Sequence, residues 1–317
     1  MNNNLLVVVL TAAVFYGTPL YFAALGGVFA ERSGVLNLGT EGMMLLGAVS
    51  AAAVAANASG PAWWVLTLAL FAAMFAAALG ALLHAFATIT LRVNQTVSGL
   101  ALTILAGSAG LSSYLAKIWD LGKAPVQFNK LDLFGLGDLA VVGPILFDQN
   151  ILTYLSWVLV GVSSWYLFRT RPGLHLRAVG ESPQTADAAG ISVTKYRYVH
   201  TLVGGALAGL GGAYVSLAIN TSWSDGITGG MGWIAIALVI FGFWRPDLTL
   251  AGAYLFGGLT SLNFVLQTRG VKVAPQLLSS LPYLVTIVVL VAVSAGWSRQ
   301  RVGAPAALGV AYEREER

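Results

Sequence analysis

The stretch "RTRPGLHLRAVGESPQTADAAGISVTKYRYVHTLVGGALAGLGGAYVSL", Arg169 to Leu217, sets a polar loop against an apolar run, and that boundary decides the fold. From Tyr198 onward the residues are apolar and rich in glycine. Such a run crosses about 30 Å of hydrocarbon as a helix rising 1.5 Å per residue, because lipid offers no water to open backbone groups. The polar half carries Arg169, Arg171, Arg177, Lys195 and Arg197. Basic residues at the end of a span mark its cytoplasmic side. Within this loop Ser182 is an N-cap, Pro183 occupies the first helical position, and Gly190 stands where a helix end needs positive φ. A helix of two turns is therefore predicted. A cap contributes only about 1 kcal/mol, so so short a helix must be held by packing. Ala186 and Ala189 form a small apolar stripe, while Gln184 and Asp187 share another face. That pattern suits a helix lying in a partner's groove, and equally a capped surface helix.

Working outward, the rest of the chain has the same character. The 317 residues are 57% hydrophobic and 9% charged, with a mean hydropathy of +0.77, whereas a soluble domain carries roughly a quarter charged residues. About nine apolar segments follow one another: Leu5 to Ala30, Gly42 to Ala56, Trp63 to Leu91, Val97 to Ala116, Ile151 to Phe168, Tyr198 to Ile219, Gly232 to Trp244, Leu248 to Leu266 and Leu281 to Trp297. The expected fold is an all-α, polytopic integral membrane protein with about 8–10 transmembrane or re-entrant helices. Gly42 to Ala56 and Gly232 to Trp244 are short enough to be half-helices. The membrane domain is expected over 1–298, with a cytoplasmic loop at 169–197, an extracytoplasmic segment at 117–150 and a cytoplasmic tail at 299–317. Nine full crossings put the N-terminus outside; one re-entrant piece in the first half puts it inside. The first apolar run lacks a basic n-region and is expected to be a retained span. The net charge of +4 is bunched in the loop and tail, which points to orientation in a lipid bilayer rather than to nucleic acid. The chain has no cysteine, which excludes disulfides, thiolate metal sites and cysteine nucleophiles.

Arg169 to Leu217 resembles the cytoplasmic loop and following span of permease subunits of ATP-binding-cassette importers. The family in question serves ribose, simple sugars, nucleosides and branched-chain amino acids. Asp187-Ala188-Ala189-Gly190-Ile191 is similar to its coupling motif of small residues followed by glycine. "ALGGVFAERSGVLNLGTEGMMLLGA", Ala24 to Ala48, resembles the nucleoside and simple-sugar branch, as does, more weakly, "RVNQTVSGLALTILA", Arg92 to Ala106. The resemblance implies that Ser182, Pro183, Gln184, Ala186, Asp187, Ala188, Ala189 and Gly190 couple to separate ATPase subunits that bind ATP and Mg. It also implies a second permease subunit, expected to be a different chain, and an extracytoplasmic binding protein or lipoprotein that delivers a nucleoside or sugar. A bacterial-type inner membrane follows. No G-x-x-x-x-G-K-[ST] phosphate loop occurs, so the chain is not expected to hydrolyse ATP or to hold a cofactor or metal itself.

Neutral donors and acceptors suit hydroxyl-bearing solutes, and an aromatic can stack on a base. The pathway candidates are Asn37, Glu41, Asn94, Gln95, Thr96, Asn220, Trp223 and Asn263, with Gln267 nearby. Each also has a plain structural reading, since intramembrane amides bond neighbouring helices and tryptophans mark interfaces. Glu31, Arg32, Asn37 and Glu41 cost too much to face lipid and must meet water, protein or each other. A turn with Gly34 and Gly39 as breakers and Thr40 as cap accounts for them; so does a broken helix lining a cavity. Gly205-x-x-x-Gly209, with Gly204, Gly211 and Gly212, reads as a packing face. His84 has no second ligand at metal spacing and reads as a helix-bonded histidine. A secondary transporter or channel is the rival class, and would hold a coupling carboxylate in mid-span.

Overall fold

A computed structural model of the chain describes residues 5–107, 110–121, 126–220, 222–268, scattered positions between 280 and 291, and 303–314. The helices are α1 (Leu5–Arg32), α2 (Thr40–Asn57), α3 (Ala62–Ala85), α4 (Gln95–Ala106), α5 (Leu111–Ile118), α6 (Ile151–Arg169), α7 (Arg171–Glu181), α8 (Pro183–Ala188), α9 (Val193–Tyr214), α10 (Met231–Phe241) and α11 (Pro246–Thr268). α3 and α9 continue through π-turns at Phe86–Thr90 and Val215–Ile219. Among the described residues, five helical stretches are long and apolar enough to cross a membrane: Leu5–Arg32, Ala62–Thr90, Gln95–Ile118, Ile151–Arg169 and Val193–Ile219. The run expected as one span from Val97 to Ala116 is divided into α4 and α5. Most of the segment expected at Leu281 to Trp297 lies outside the described residues.

Small residues decide how these helices meet. Along α3 the i, i+4 series Ala69, Ala73, Ala77, Ala81 and Ala85 is fully buried, while Phe71, Phe75, Leu82 and Leu83 point outward. The large side chains are left for lipid and the small ones admit a neighbouring backbone, since the hydrophobic effect gives no drive between helices already in hydrocarbon. That neighbour is α9, whose glycines serve three partners at once. Gly205 and Gly209 lie against Ala77 and Ala73 of α3, Gly204 against Gly26 of α1, and Gly212 against Met44 of α2. At the crossing of α2 and α9 a Cβ on Gly212 would stand 2.0 Å from the Met44 carbonyl oxygen, and one on Gly47 would stand 2.5 Å from the Gly209 Cα. This packing is internal to the subunit, so these glycines are not a free face for a partner permease. α11 closes on α1 through Gly17 against Ala253 and Gly257 against Ala13.

Residues 26 and 19 of α1 face residues 204 and 211 of α9, so the two helices run antiparallel. Because α9 leaves the 169–197 loop, α1 begins at the opposite end of the bundle. At that far end Phe128 donates its N–H to Leu217 O at 2.9 Å, and Asn57 Nδ2 donates to Trp119 O at 3.2 Å. A short antiparallel hairpin, β1 (Lys130–Asp132) with β2 (Asp148–Asn150), sits there in the register Lys130 to Asn150, with Lys130 and Asp148 paired at 3.0 Å. Residues 303–314 lie at the loop end: the Ala307 N–H donates to Gly180 O at 2.9 Å.

Candidate functional site

At the loop end, Thr170 caps α7 by accepting from the Gly173 N–H, and Pro172 follows at the start of the helix. Ser182 both ends α7 and caps α8, its Oγ accepting from the Thr185 N–H at 3.4 Å and lying 2.7 Å from Thr185 Oγ1. α8 terminates with Gly190 at φ +80°, the Ile191 N–H on Ala186 O and the Gly190 N–H on Asp187 O, both at 2.9 Å. That paired bonding around a left-handed residue is the Schellman stop, and only glycine adopts it without strain. Ala186 is buried against Val179 and Val193, with Tyr312 beside them. The proposed stripe is therefore corrected. Ala186 faces its own chain, because the tail and α9 already fill the space next to it, and Ala189 is exposed on another side. Pro183 is buried, Asp187 lies 3.3 Å from Arg314 Nε, and the outward surface consists of Gln184, Thr185, Ala188, Ala189 and Gly190.

Inside the bundle, the segment Glu31 to Gly42 leaves the end of α1, breaks, and re-enters as α2. None of its charged groups pairs with another; each meets backbone groups, an indole or a hydroxyl in or beside α10. Glu31 Oε2 accepts from Trp244 Nε1 at 2.6 Å, and Arg32 donates to Trp244 O at 3.0 Å and to Phe243 O at 3.4 Å. These two carbonyls belong to the tight turn after α10, where Phe243 and Trp244 both have φ +52°. Glu41, 7% exposed, holds the other end of α10: Oε1 accepts from Thr228 Oγ1 at 2.6 Å and from the Gly230 N–H at 3.0 Å, and Oε2 accepts from the Gly232 N–H at 2.6 Å. A carboxylate suits this position because the first turn of a helix has unpaired N–H groups and a positive dipole end. α10, eleven residues long, is thus fastened at both ends by one short segment of the sequence.

The break itself, residues 33–39, consists of two turns joined by a short irregular stretch, with Gly34 at φ +89°, and is largely buried in protein, which is where irregular backbone is tolerated at membrane depth. Gln95 Oε1 accepts from the Leu36 N–H at 2.6 Å, His84 Nε2 lies 3.1 Å from Leu36 O and Nδ1 lies 3.0 Å from Ser98 Oγ, and Thr103 Oγ1 donates to Leu38 O at 3.1 Å. His84, in α3, thereby joins the break to α4. Asn37 Oδ1 accepts from the Gly39 N–H, while Thr40 donates to Asn37 O instead of capping α2.

The structure therefore gathers Asn37, Glu41 and Gln95 around one junction and leaves the other pathway candidates apart. Asn94 caps α4 by accepting from the Val97 N–H, and it and Thr96 are exposed at the loop end. Asn220 and Trp223 lie at the far end, where Asn220 Nδ2 donates to Val215 O and Trp223 packs near Ala116 and Leu121. Asn263 lies in α11, but its side chain, like that of Gln267, falls outside the described residues. Thr228, Gly230 and Gly232 were not legible as partners of Glu41, since nothing in the sequence signals a contact 191 residues away. A groove of about 950 Å³ between α2 and α3, lined by Phe71 and Phe75 among others, opens on the outer surface. Its apolar walls suit lipid or another helix rather than a polar solute.

A multi-pass helical bundle with broken helices in its interior, a short capped helix at one end and a small polar hairpin at the other has the build of a transport permease. Comparison with known proteins agrees. The family model described as the permease component of the branched-chain amino acid transport system matches residues 9–294, and the chain belongs to this family of transport permeases. It is 37% identical to a putative glucose ABC transporter permease of Haloferax volcanii (96% of this chain, 97% of the relative). It is 36% identical to a guanosine ABC transporter permease of Bacillus subtilis (99% of each) and 38% identical to a nucleoside ABC transporter permease of Lactococcus lactis (90% and 92%). No solved structure gives a significant match.

Proposed function

We infer that this chain is the membrane-spanning permease of an ATP-driven importer for nucleosides, coupled through α8 to separate ATPase subunits. The observation that carries the coupling is the build of α8: anchored from within by Pro183 and Ala186, capped at Ser182, stopped at Gly190, and presenting small or polar residues outward. A stiff, close contact can transmit force where a flexible linker cannot. ATP and Mg belong to the partner subunits. The basic loop and the tail face the cytoplasm of a bacterial-type inner membrane, and the far end with its β-hairpin receives an extracytoplasmic binding protein. Since α1 begins at the end opposite this loop, its start lies outside. A second, different permease completes the pathway.

The nucleoside reading rests on the guanosine and nucleoside permeases among the relatives and on neutral polar groups in place of paired charges; the glucose relative supports a sugar as the second reading. A secondary transporter is disfavoured because Glu31 and Glu41, the carboxylates such a carrier would need, are both committed to protein donors. When the complex is reconstituted, ATP hydrolysis should be stimulated several-fold by a nucleoside-loaded binding protein and little by a leucine-loaded one. Charged amino acid ends would need buried ionic partners that the junction does not offer. Stimulation by leucine and by no nucleoside would reverse the assignment.

A further inference from the structure

The tail residues 303–314 are not a loose end. Within this dodecapeptide the Ala306 N–H donates to Glu181 Oε2 at 3.3 Å, the Ala307 N–H to Gly180 O at 2.9 Å, and the Gly309 N–H to Gly34 O at 3.2 Å. Tyr312 packs on the cluster containing Ala186, Glu313 pairs with Arg92 at the entry to α4, and Arg314 reaches Asp187 in α8. The contact to Val310 O has a particular weight. Arg197, 1% exposed at the start of α9, donates to it from Nη1 at 3.0 Å, and its Nε and Nη2 have no hydrogen-bond partner among the described residues. A buried guanidinium is costly without a partner, so the tail is a required part of the loop end. Two further facts give it direction. It touches α8 on the inner side and leaves Gln184, Thr185, Ala188 and Ala189 exposed, so it does not cover the outward face. It also bonds Gly34, two residues from the Arg32 that grips the turn after α10.

We propose that residues 303–314 form a strap that carries displacement of α8 to the α1–α2 junction and thence to α10, a second route beside the covalent one through α7 and α9. The strap rests on the reading of α8 as the ATPase contact. Its residues act by positioning: none touches solute or nucleotide.

The test uses the complex reconstituted with its ATPase, second permease and binding protein. Two versions of this chain are compared with wild type: one ending before Gly303, and Ala307→Pro, which removes the N–H that donates to Gly180 and leaves α8 itself unchanged. Three quantities are read: ATPase co-purification, ATP hydrolysis, and uptake of a labelled mixture of adenosine, guanosine, uridine and cytidine. The strap requires the ATPase to remain bound and hydrolysis to continue while solute moved per ATP falls about fivefold, the scale of losing one hydrogen bond between neutral groups. If the shortened chain does not accumulate, Ala307→Pro decides. An unchanged ratio of uptake to hydrolysis overturns the proposal, whether both activities are normal or both fall together from instability. Loss of ATPase binding also overturns it, since the tail would then be part of the dock. Wild-type ATPase binding by Ala189→Trp would instead remove the α8 reading, whatever the tail variants do.

Discussion

Gly212→Leu is expected to abolish accumulation of the folded subunit. The substituent would enter at the crossing of α2 and α9, where even a Cβ stands 2.0 Å from Met44 O and 2.9 Å from Ala48 N. Both obstacles are backbone, so no side chain can turn aside. α9 cannot retreat either, because Gly204, Gly205 and Gly209 hold it against α1 and α3 on its other sides. Overpacking in an adaptable core costs typically 1–3 kcal/mol, and a locked crossing exceeds that range. Gly161→Leu is the control: a Cβ there meets nothing within 4 Å, and the variant should accumulate and migrate on size exclusion as wild type does. Normal yield and migration of the Gly212 variant would mean that the helices do not cross where described.

The second large effect is expected at Glu41. Glu41→Leu leaves the Thr228 hydroxyl and the Gly230 and Gly232 N–H groups facing an apolar side chain in the interior. Each stranded donor costs about 1–3 kcal/mol, so with three of them the variant should lose at least about 3 kcal/mol and melt well below wild type. Glu41→Gln keeps one carbonyl acceptor and should fall between the two. The series also separates two roles for the residue. A carboxylate that bound solute would, when replaced, raise KM and leave the melting temperature unchanged; one that fastens α10 lowers the melting temperature first. A Glu41→Leu protein as stable as wild type would contradict the capping role.

The contrast between these two sites shows what the sequence could and could not convey. The helical type of the bundle follows from the apolar runs, since hydrocarbon permits few alternatives to a helix, whereas the division of Val97 to Ala116 into α4 and α5 does not. Gly205 and Gly209 announce a packing face by spacing alone, and Ser182, Pro183 and Gly190 announce α8 because caps and stops are local chemistry. The partners of those features are not local. Glu41 meets a glycine 191 residues later, Arg32 meets carbonyls more than 200 residues later, and Arg314 of the tail meets Asp187 of α8. Hydropathy carries no trace of such contacts. The inward turn of Ala186 was hidden for the same reason: spacing groups Ala186 with Ala189, whereas Tyr312 and Val193 determine which of them is covered.

The claim that an external ATPase drives this permease through α8 is tested most directly by co-purification. Ala189→Trp adds bulk on the exposed side of the helix, and Gly190→Val penalises the φ of +80° that the stop requires. Neither residue faces the membrane bundle: a Cβ on Gly190 would meet nothing within 4 Å, and Ala189 is exposed. Each variant should assemble in the membrane and lose ATPase association by at least about 30-fold, the scale of a hot-spot contact worth about 2 kcal/mol, with transport lost in parallel. If both variants bring down the ATPase at the wild-type level and transport fully, α8 is only a capped surface helix and the coupling route assigned to it is wrong.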